Sequence, residues 1–286
     1  CRTYKRDNRC HARELKVTDM PEDTKREIID VQKEWDERSM SYDAYFNTFV
    51  GKLDEYLRWK LIKKSLYEDK NIRILDAGGG TGIVALPLAG MGYDVTLSDI
   101  SPGQLRVAEE KLRKHGLSEE VEIIEADIAA LPFPDESFDL VLAMRGPISL
   151  ATDSLKAVVE LSRVTKRGGR ICVDVSSRYF AVIQEYGRDP ETALKLISSE
   201  LDHACGAHGL GRVFNPVELE ETFKRNGIEV TGIYGDFAYY LPEEMRKATK
   251  WEKRLYDQVT EILEHLSREP SVTGLGNDLI LVGEKC

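Results

Sequence analysis

The chain has 286 residues, 42% of them apolar and 31% charged, with a net charge of −10. That length suits one large core or one domain with a substantial cap, and the composition excludes a disordered chain. The acidic balance repels phosphate backbones and excludes broad, nonspecific nucleic-acid binding, while a local basic patch would still serve RNA. No apolar run reaches membrane-spanning length and no secretory apolar stretch opens the sequence, so a cytoplasmic protein without a membrane partner is expected. Cys1, Cys10, Cys172, Cys205 and Cys286 are scattered and odd in number, which gives no disulfide framework.

From Cys1 to about Pro21 the chain is polar, an arm or a polar helix. Between Thr24 and Lys70 apolar and aromatic residues recur at three- and four-residue spacings, which predicts two or three helices lying on a neighbouring surface. Residues 1–70 are therefore read as an arm and helical cap, and 71–286 as the binding domain. "NIRILDA" is a short strand, followed by glycines and a helix in "IVALPLAGMG"; "YDVTLSD" is the next strand. Ser101 caps the following helix, with Pro102 at its first position. "VEIIEAD", "FDLVLAM" and "GRICVDVS" are three more strands, and "DSLKAVVELSRVTKRGG" is the helix between the last two. Such alternation predicts right-handed crossovers and a parallel sheet covered on both faces. Two insertions break the rhythm, at about 177–212 and 242–270. The first contains "DHACGAHGLGR", a lid or pocket candidate. A helix capped by Asn215, then "IEVTGIYG" and "DLILVGEK", complete the elements.

Gly78, Gly79, Gly80 and Gly82 lie beyond the carboxyl end of the first strand, where an α/β sheet holds its ligand and absent Cβ atoms permit close approach. Gly80, Gly82 and Ala85 also spell GxGxxA, with Asp99 downstream, which suits a nicotinamide enzyme. Asp76, Asp99 and Asp127 end three successive strands. Their carboxylates accept hydrogen bonds, so Asp76 suits a cationic group, Asp99 a ribose and Asp127 an exocyclic amine.

"LDAGGGTG", "VTLSDIS" and "EADIAALPFPDESFDLVLAMRG" together resemble the successive motifs of class I S-adenosylmethionine-dependent methyltransferases, of the small-molecule methyltransferase-11-like branch. The likeness covers roughly Asn71 to Val175. It implies a Rossmann-like α/β sheet of seven strands in order 3-2-1-4-5-7-6, the last antiparallel, with helical cap insertions. S-adenosyl-L-methionine would be the cofactor: Asp76 and the glycine loop would hold its methionyl part, Asp99 the ribose, and Asp127 with Ile128 the adenine, with Ile100 also among the cofactor-binding residues. Met144 and Arg145 would follow the fourth strand where substrate meets cofactor.

Substrate-side candidates are Tyr42 and Tyr45, Arg145 as partner for a carboxylate, Tyr179 and Arg212. His203 and His208 are candidates for proton transfer, while their spacing with Cys205 matches no zinc signature, so no metal is expected. The leading reading is methyl transfer to a small-molecule nucleophile. Alternatives are a tRNA nucleoside methyltransferase, since "LSREPSVTGLGNDLILVGEK" loosely resembles the end of some wobble-uridine enzymes, a nicotinamide oxidoreductase, and a noncatalytic binding protein. A basic face around Arg163, Lys166, Arg167 and Arg170 would favour RNA.

Overall fold

A computed structural model of the chain describes residues 31–39, 42–205 and 209–286. The N-terminal arm and His208 lie outside the described residues. Chain order begins with α1 (Val31–Arg38), a 3₁₀ turn (Tyr42–Asn47), α2 (Phe49–Ser65), β1 (Arg73–Ala77), α3 (Ala85–Gly90), β2 (Asp94–Asp99) and α4 (Pro102–His115). It continues through β3 (Val121–Glu125), β4 (Phe138–Ala143), α5 (Pro147–Leu150), α6 (Ser154–Val164), β5 (Thr165–Ser176), α7 (Arg178–Glu185) and α8 (Pro190–Ser198). The last elements are β6 (His203–Cys205), β7 (Leu210–Arg212), α9 (Pro216–Arg225), β8 (Ile228–Asp236), α10 (Glu243–Lys247), α11 (Lys253–Arg268) and β9 (Asp278–Lys285).

Seven strands form one sheet in order β3-β2-β1-β4-β5-β9-β8, and β9 runs antiparallel to both of its neighbours. With the separate β6–β7 hairpin set aside, this is the predicted 3-2-1-4-5-7-6 order. Strand residues alternate between the two faces. Leu75, Val141, Ile171, Val173 and Leu281 join one buried core with α6 and α9; Ile74, Val95, Leu97, Leu140 and Ile280 join the other with α3 and α4. Helix α2 serves two cores. Its Leu57, Leu61 and Ile62 pack on the second sheet face, while Phe49, Val50 and Leu53 meet Phe237, which follows β8, and Val259 and Leu263 of α11.

The predicted helix through Gly169 ends instead at Val164. Thr165 turns its hydroxyl back to the Leu161 carbonyl at 2.7 Å, and the ladder with β4 jumps from the pair Phe138–Thr165 to Leu140–Arg170. A Cβ on Gly169 would stand 2.8 Å from the Lys166 carbonyl oxygen, so the bulge depends on a residue with no side chain. Among the described residues no helix is long and apolar enough to cross a membrane.

Candidate functional site

Four parallel strands, β3, β2, β1 and β4, end side by side, and the loops beyond them line an open cavity of about 850 Å³, a volume that includes the solvent at its mouth. Asp76, Gly78, Gly79 and Gly80 line it from β1, Asp99 and Ile100 from β2, Asp127 and Ile128 from beyond β3, and Met144 and Arg145 from beyond β4. Gly78 and Gly79 donate their amides to the Ser98 carbonyl at 2.7 and 3.0 Å, folding the loop over β2. Gly80, at φ +55°, is left-handed and donates to Asp99 Oδ2 at 2.9 Å. Asp99 Oδ1 accepts from the Ser101 amide at 2.9 Å, so this carboxylate ties the glycine loop to the start of α4.

Asp76 is buried, and its Oδ2 has no hydrogen-bond partner among the described residues. A Cβ on Gly79 would stand 2.6 Å from that oxygen. Burial pushes the Asp76 carboxyl up to about 7, against the help of the Ala85 amide. Burial likewise raises Asp99 to about 6 despite its amide bonds. An acceptor held dry at a cavity wall costs free energy that a cationic donor would recover.

The N-terminal helices close one side. Asp36 Oδ1 accepts from the Ser101 hydroxyl and the Gly103 amide at 2.5 and 2.6 Å, and the Trp35 carbonyl accepts from Gln104 Nε2 at 3.1 Å. Asp43 accepts from the Thr81 hydroxyl at 2.7 Å and pairs with Lys111. These fastenings put Trp35 and Tyr42 in the cavity wall.

The structure brings together every predicted cofactor residue except Gly82, which lies outside the lining. A Cβ there would make ordinary contacts with Ala108 and Leu97 at 3.4 and 3.5 Å, so it is the left-handed backbone at φ +75° that favours glycine. Tyr42 and Arg145 line the cavity, whereas the other substrate-side candidates stand elsewhere. Tyr45 packs against the Phe49, Leu53 and Phe237 core. Tyr179 lies beside Gly274 and Pro216, 40% exposed. Arg212 pairs with Asp202 at 2.5 Å and Glu218 at 2.8 Å, because β6 and β7 place it across from His203. His203 bonds the same Asp202 at 2.7 Å, outside the cavity lining. A direct proton-transfer role for His203 therefore has no geometric support.

The basic run has partners of its own. Arg163 pairs with Glu160 and Asp135, Lys166 with Asp139, and Arg167 with Glu136 at 3.4 Å. Arg170 donates to the Ser65 and Leu66 carbonyls and stands 4.1 Å from the Tyr67 ring centroid. A free basic face, the feature that would have favoured RNA, is not formed by these four residues.

Sequence reasoning missed Trp35, Asp36, Asp43 and Gln104, whose partners lie tens of residues away and leave no local pattern. It also missed Arg58, which lies buried among Asp54, Asp174, Asp236 and Asp278.

Residues 75–173 match the family model described as a methyltransferase domain. A ubiquinone/menaquinone biosynthesis C-methyltransferase, UbiE, from Pectobacterium carotovorum is 39% identical over 107 residues, covering 36% of this chain and 42% of its own length. The chain thus spans less than half of that curated relative. A possible histamine N-methyltransferase from Thermotoga maritima shares the fold with a TM-score of 0.55 at 19% identity, over 90% of this chain and all of its own. Geranyl diphosphate C-methyltransferase from Streptomyces coelicolor A3(2) does so with a TM-score of 0.56 at 14% identity, covering 82% of this chain and 80% of its own. The GxGxxA turn lies inside the residues that match the methyltransferase-domain model. The methyltransferase-domain match is thus seated on the β1–β5 part of the sheet, with the three carboxylates at its strand ends.

Proposed function

We propose that the protein transfers the methyl group of S-adenosylmethionine to a small-molecule nucleophile. The observation that carries this reading is the buried Asp76 Oδ2, without a hydrogen-bond partner among the described residues, at the wall of a cavity that also holds Asp99 and Asp127. The donor set fits the cofactor: Asp76 and the glycine loop suit the cationic methionyl end, Asp99 the ribose hydroxyls, and Asp127 with Ile128 the adenine. When bound, S-adenosylmethionine supplies a methyl group already activated on sulfonium.

The chain's own work is orientation and exclusion of water, effects that lower a displacement barrier by several kcal/mol. Trp35, Tyr42, Pro147 and Leu150 line the same cavity. Burial pushes the Tyr42 hydroxyl up to about 12, so it stays protonated and acts as a donor, not a base. Relatives named for small acceptors, together with the paired state of the basic run, support a metabolite over RNA.

Calorimetry is the direct test: S-adenosylmethionine and S-adenosylhomocysteine bind with one-to-one stoichiometry and the nicotinamide cofactors do not. Binding of NAD alone would overturn the reading. Affinity should also depend on pH, because a cationic ligand needs Asp76 ionised. It falls toward tenfold for each pH unit below about 7, and Asp76→Asn should bind more weakly and lose that slope. The ligand-free protein runs the other way. Asp76 and Asp99 are raised above their unfolded values, so the folded state binds more protons between about 4 and 7 and their contribution to stability declines as pH rises. Thermal melts with and without ligand from pH 5.5 to 8 separate the two trends.

His203→Ala should leave kcat/KM within about twofold, as measured by S-adenosylhomocysteine release. A loss of a hundredfold would return that side chain to the chemistry.

A further inference from the structure

Two residues lining the cavity carry hydrogen-bond donors that lack acceptors among the described residues. Arg145 lines the cavity; its Nη1 donates to Asp54 Oδ2 at 2.6 Å, its guanidinium stands 4.2 Å from the Phe46 ring centroid, and its buried Nε has no partner. Tyr42 lines the same wall, with its ring edge-on to Trp35 and Phe46 at 5.5 Å in each case. No hydrogen bond to its hydroxyl is made among the described residues.

Arginine in a pocket reads first as an anchor for a carboxylate, which is how the sequence presents Arg145. Its surroundings reverse that expectation. Asp54 neutralises Arg145, and behind that pair the Arg58 guanidinium faces Asp54, Asp174, Asp236 and Asp278. Two guanidiniums thus stand against four carboxylates. Burial, with Asp54 next to it, raises the Asp236 carboxyl well above the usual carboxylate range, and even with a proton on Asp236 one excess negative charge remains behind the wall. Asp76 and Asp99 add acidity on the cofactor side. A substrate carboxylate on Arg145 would be set beside Asp54 in a poorly solvated place, where like charges repel strongly. An uncharged oxygen accepts from both donors and meets no such repulsion.

We propose that Tyr42 and Arg145 form a donor pair that selects a methyl acceptor through an uncharged carbonyl oxygen and rejects carboxylates. This rests on the methyl-transfer reading of the same cavity. Specificity arises because a site with two unpartnered donors is left unsatisfied by any acceptor lacking that oxygen.

The test uses fluorine NMR titration of 4-fluoroacetophenone and 4-fluorobenzoate, whose flat rings suit the wall of Trp35, Pro147 and Leu150. Each probe is titrated onto the S-adenosylhomocysteine-loaded protein and onto the free protein. The ketone should bind about tenfold more tightly than the carboxylate, and Tyr42→Phe should weaken the ketone about three- to tenfold. Arg145→Lys keeps a cation for Asp54 and removes Nε–H, so it should weaken the ketone similarly; if that variant fails to fold, Tyr42→Phe decides. Equal or tighter binding of the carboxylate overturns the proposal. So does binding of neither probe, or a ketone affinity indifferent to the substitutions. Failure of S-adenosylhomocysteine to bind would instead refute the cofactor reading, and the probe preference in the free protein would still judge the donor pair.

Discussion

An Asp99→Ala protein should bind S-adenosylmethionine about a hundredfold more weakly or worse at pH 8, while remaining folded. Two hydrogen bonds from ribose hydroxyls to an ionised carboxylate contribute about 1.5–3 kcal/mol each, and alanine removes both. A second loss adds to the first: Asp99 also holds the Gly80 and Ser101 amides at 2.9 Å, so the glycine loop loses its tie to α4. Those amides adjoin the cavity, where water can replace the carboxylate, and the change in stability should stay near ~1 kcal/mol. Asp99→Asn keeps one carbonyl acceptor and should fall between wild type and alanine. Calorimetry measures the affinities and thermal unfolding checks the fold. Wild-type affinity in the alanine variant would remove Asp99 from the ribose role and leave it only as a loop fastener.

Features of this site that are local in sequence were legible, and features made by chain crossings were not. Short runs with few exposed positions, "RILDA" and "DVTLSD", specify strands buried on both faces, and a carboxylate at the end of each marks the edge where a parallel sheet binds ligands. Ser101 and Asn215 announced their helices because capping is a three-residue interaction, and both side chains accept the expected amide. Tyr42 and Tyr45 looked equivalent, being three residues apart. Only the packing of Phe49 and Leu53 against Phe237 draws Tyr45 into a core while Tyr42 faces the cavity. His203 and Arg212 appeared to offer chemistry in a glycine-rich loop. The β6–β7 pairing sets them opposite each other, and Asp202 engages both. Arg58 sits unremarked among lysines in "LRWKLIKK", yet its partners come from 116, 178 and 220 residues downstream.

That crossing makes Arg58→Met the substitution with the largest expected effect on stability, a loss of about 3–5 kcal/mol or failure to fold. Arg58 is 2% exposed and donates Nε to Asp174 at 2.6 Å, Nη1 to Asp236 at 2.8 Å and Nη2 to Asp278 at 2.8 Å, besides its contact with Asp54. Methionine fills much of the volume but leaves four carboxylates with Arg145 as the remaining cation among these residues. They must take up protons to stay buried, which raises their folded pKa values above the unfolded ones. The folded variant then binds more protons than its unfolded chain, so its deficit against wild type should grow as pH rises from about 5 to 8. Chemical denaturation across that range reads both the size and the slope; a deficit under 1 kcal/mol, or one that shrinks with pH, would show that the guanidinium does not hold the cluster. Arg58→Lys keeps the charge without the fork and should lose less. In that folded variant the damage should be selective. Asp174 accepts from the Gly146 amide at 2.5 Å and Asp54 from Arg145, two successive left-handed residues on the acceptor side. Loosening them should raise the KM for the methyl acceptor while S-adenosylmethionine affinity, set by Asp76 and Asp99, stays within about twofold.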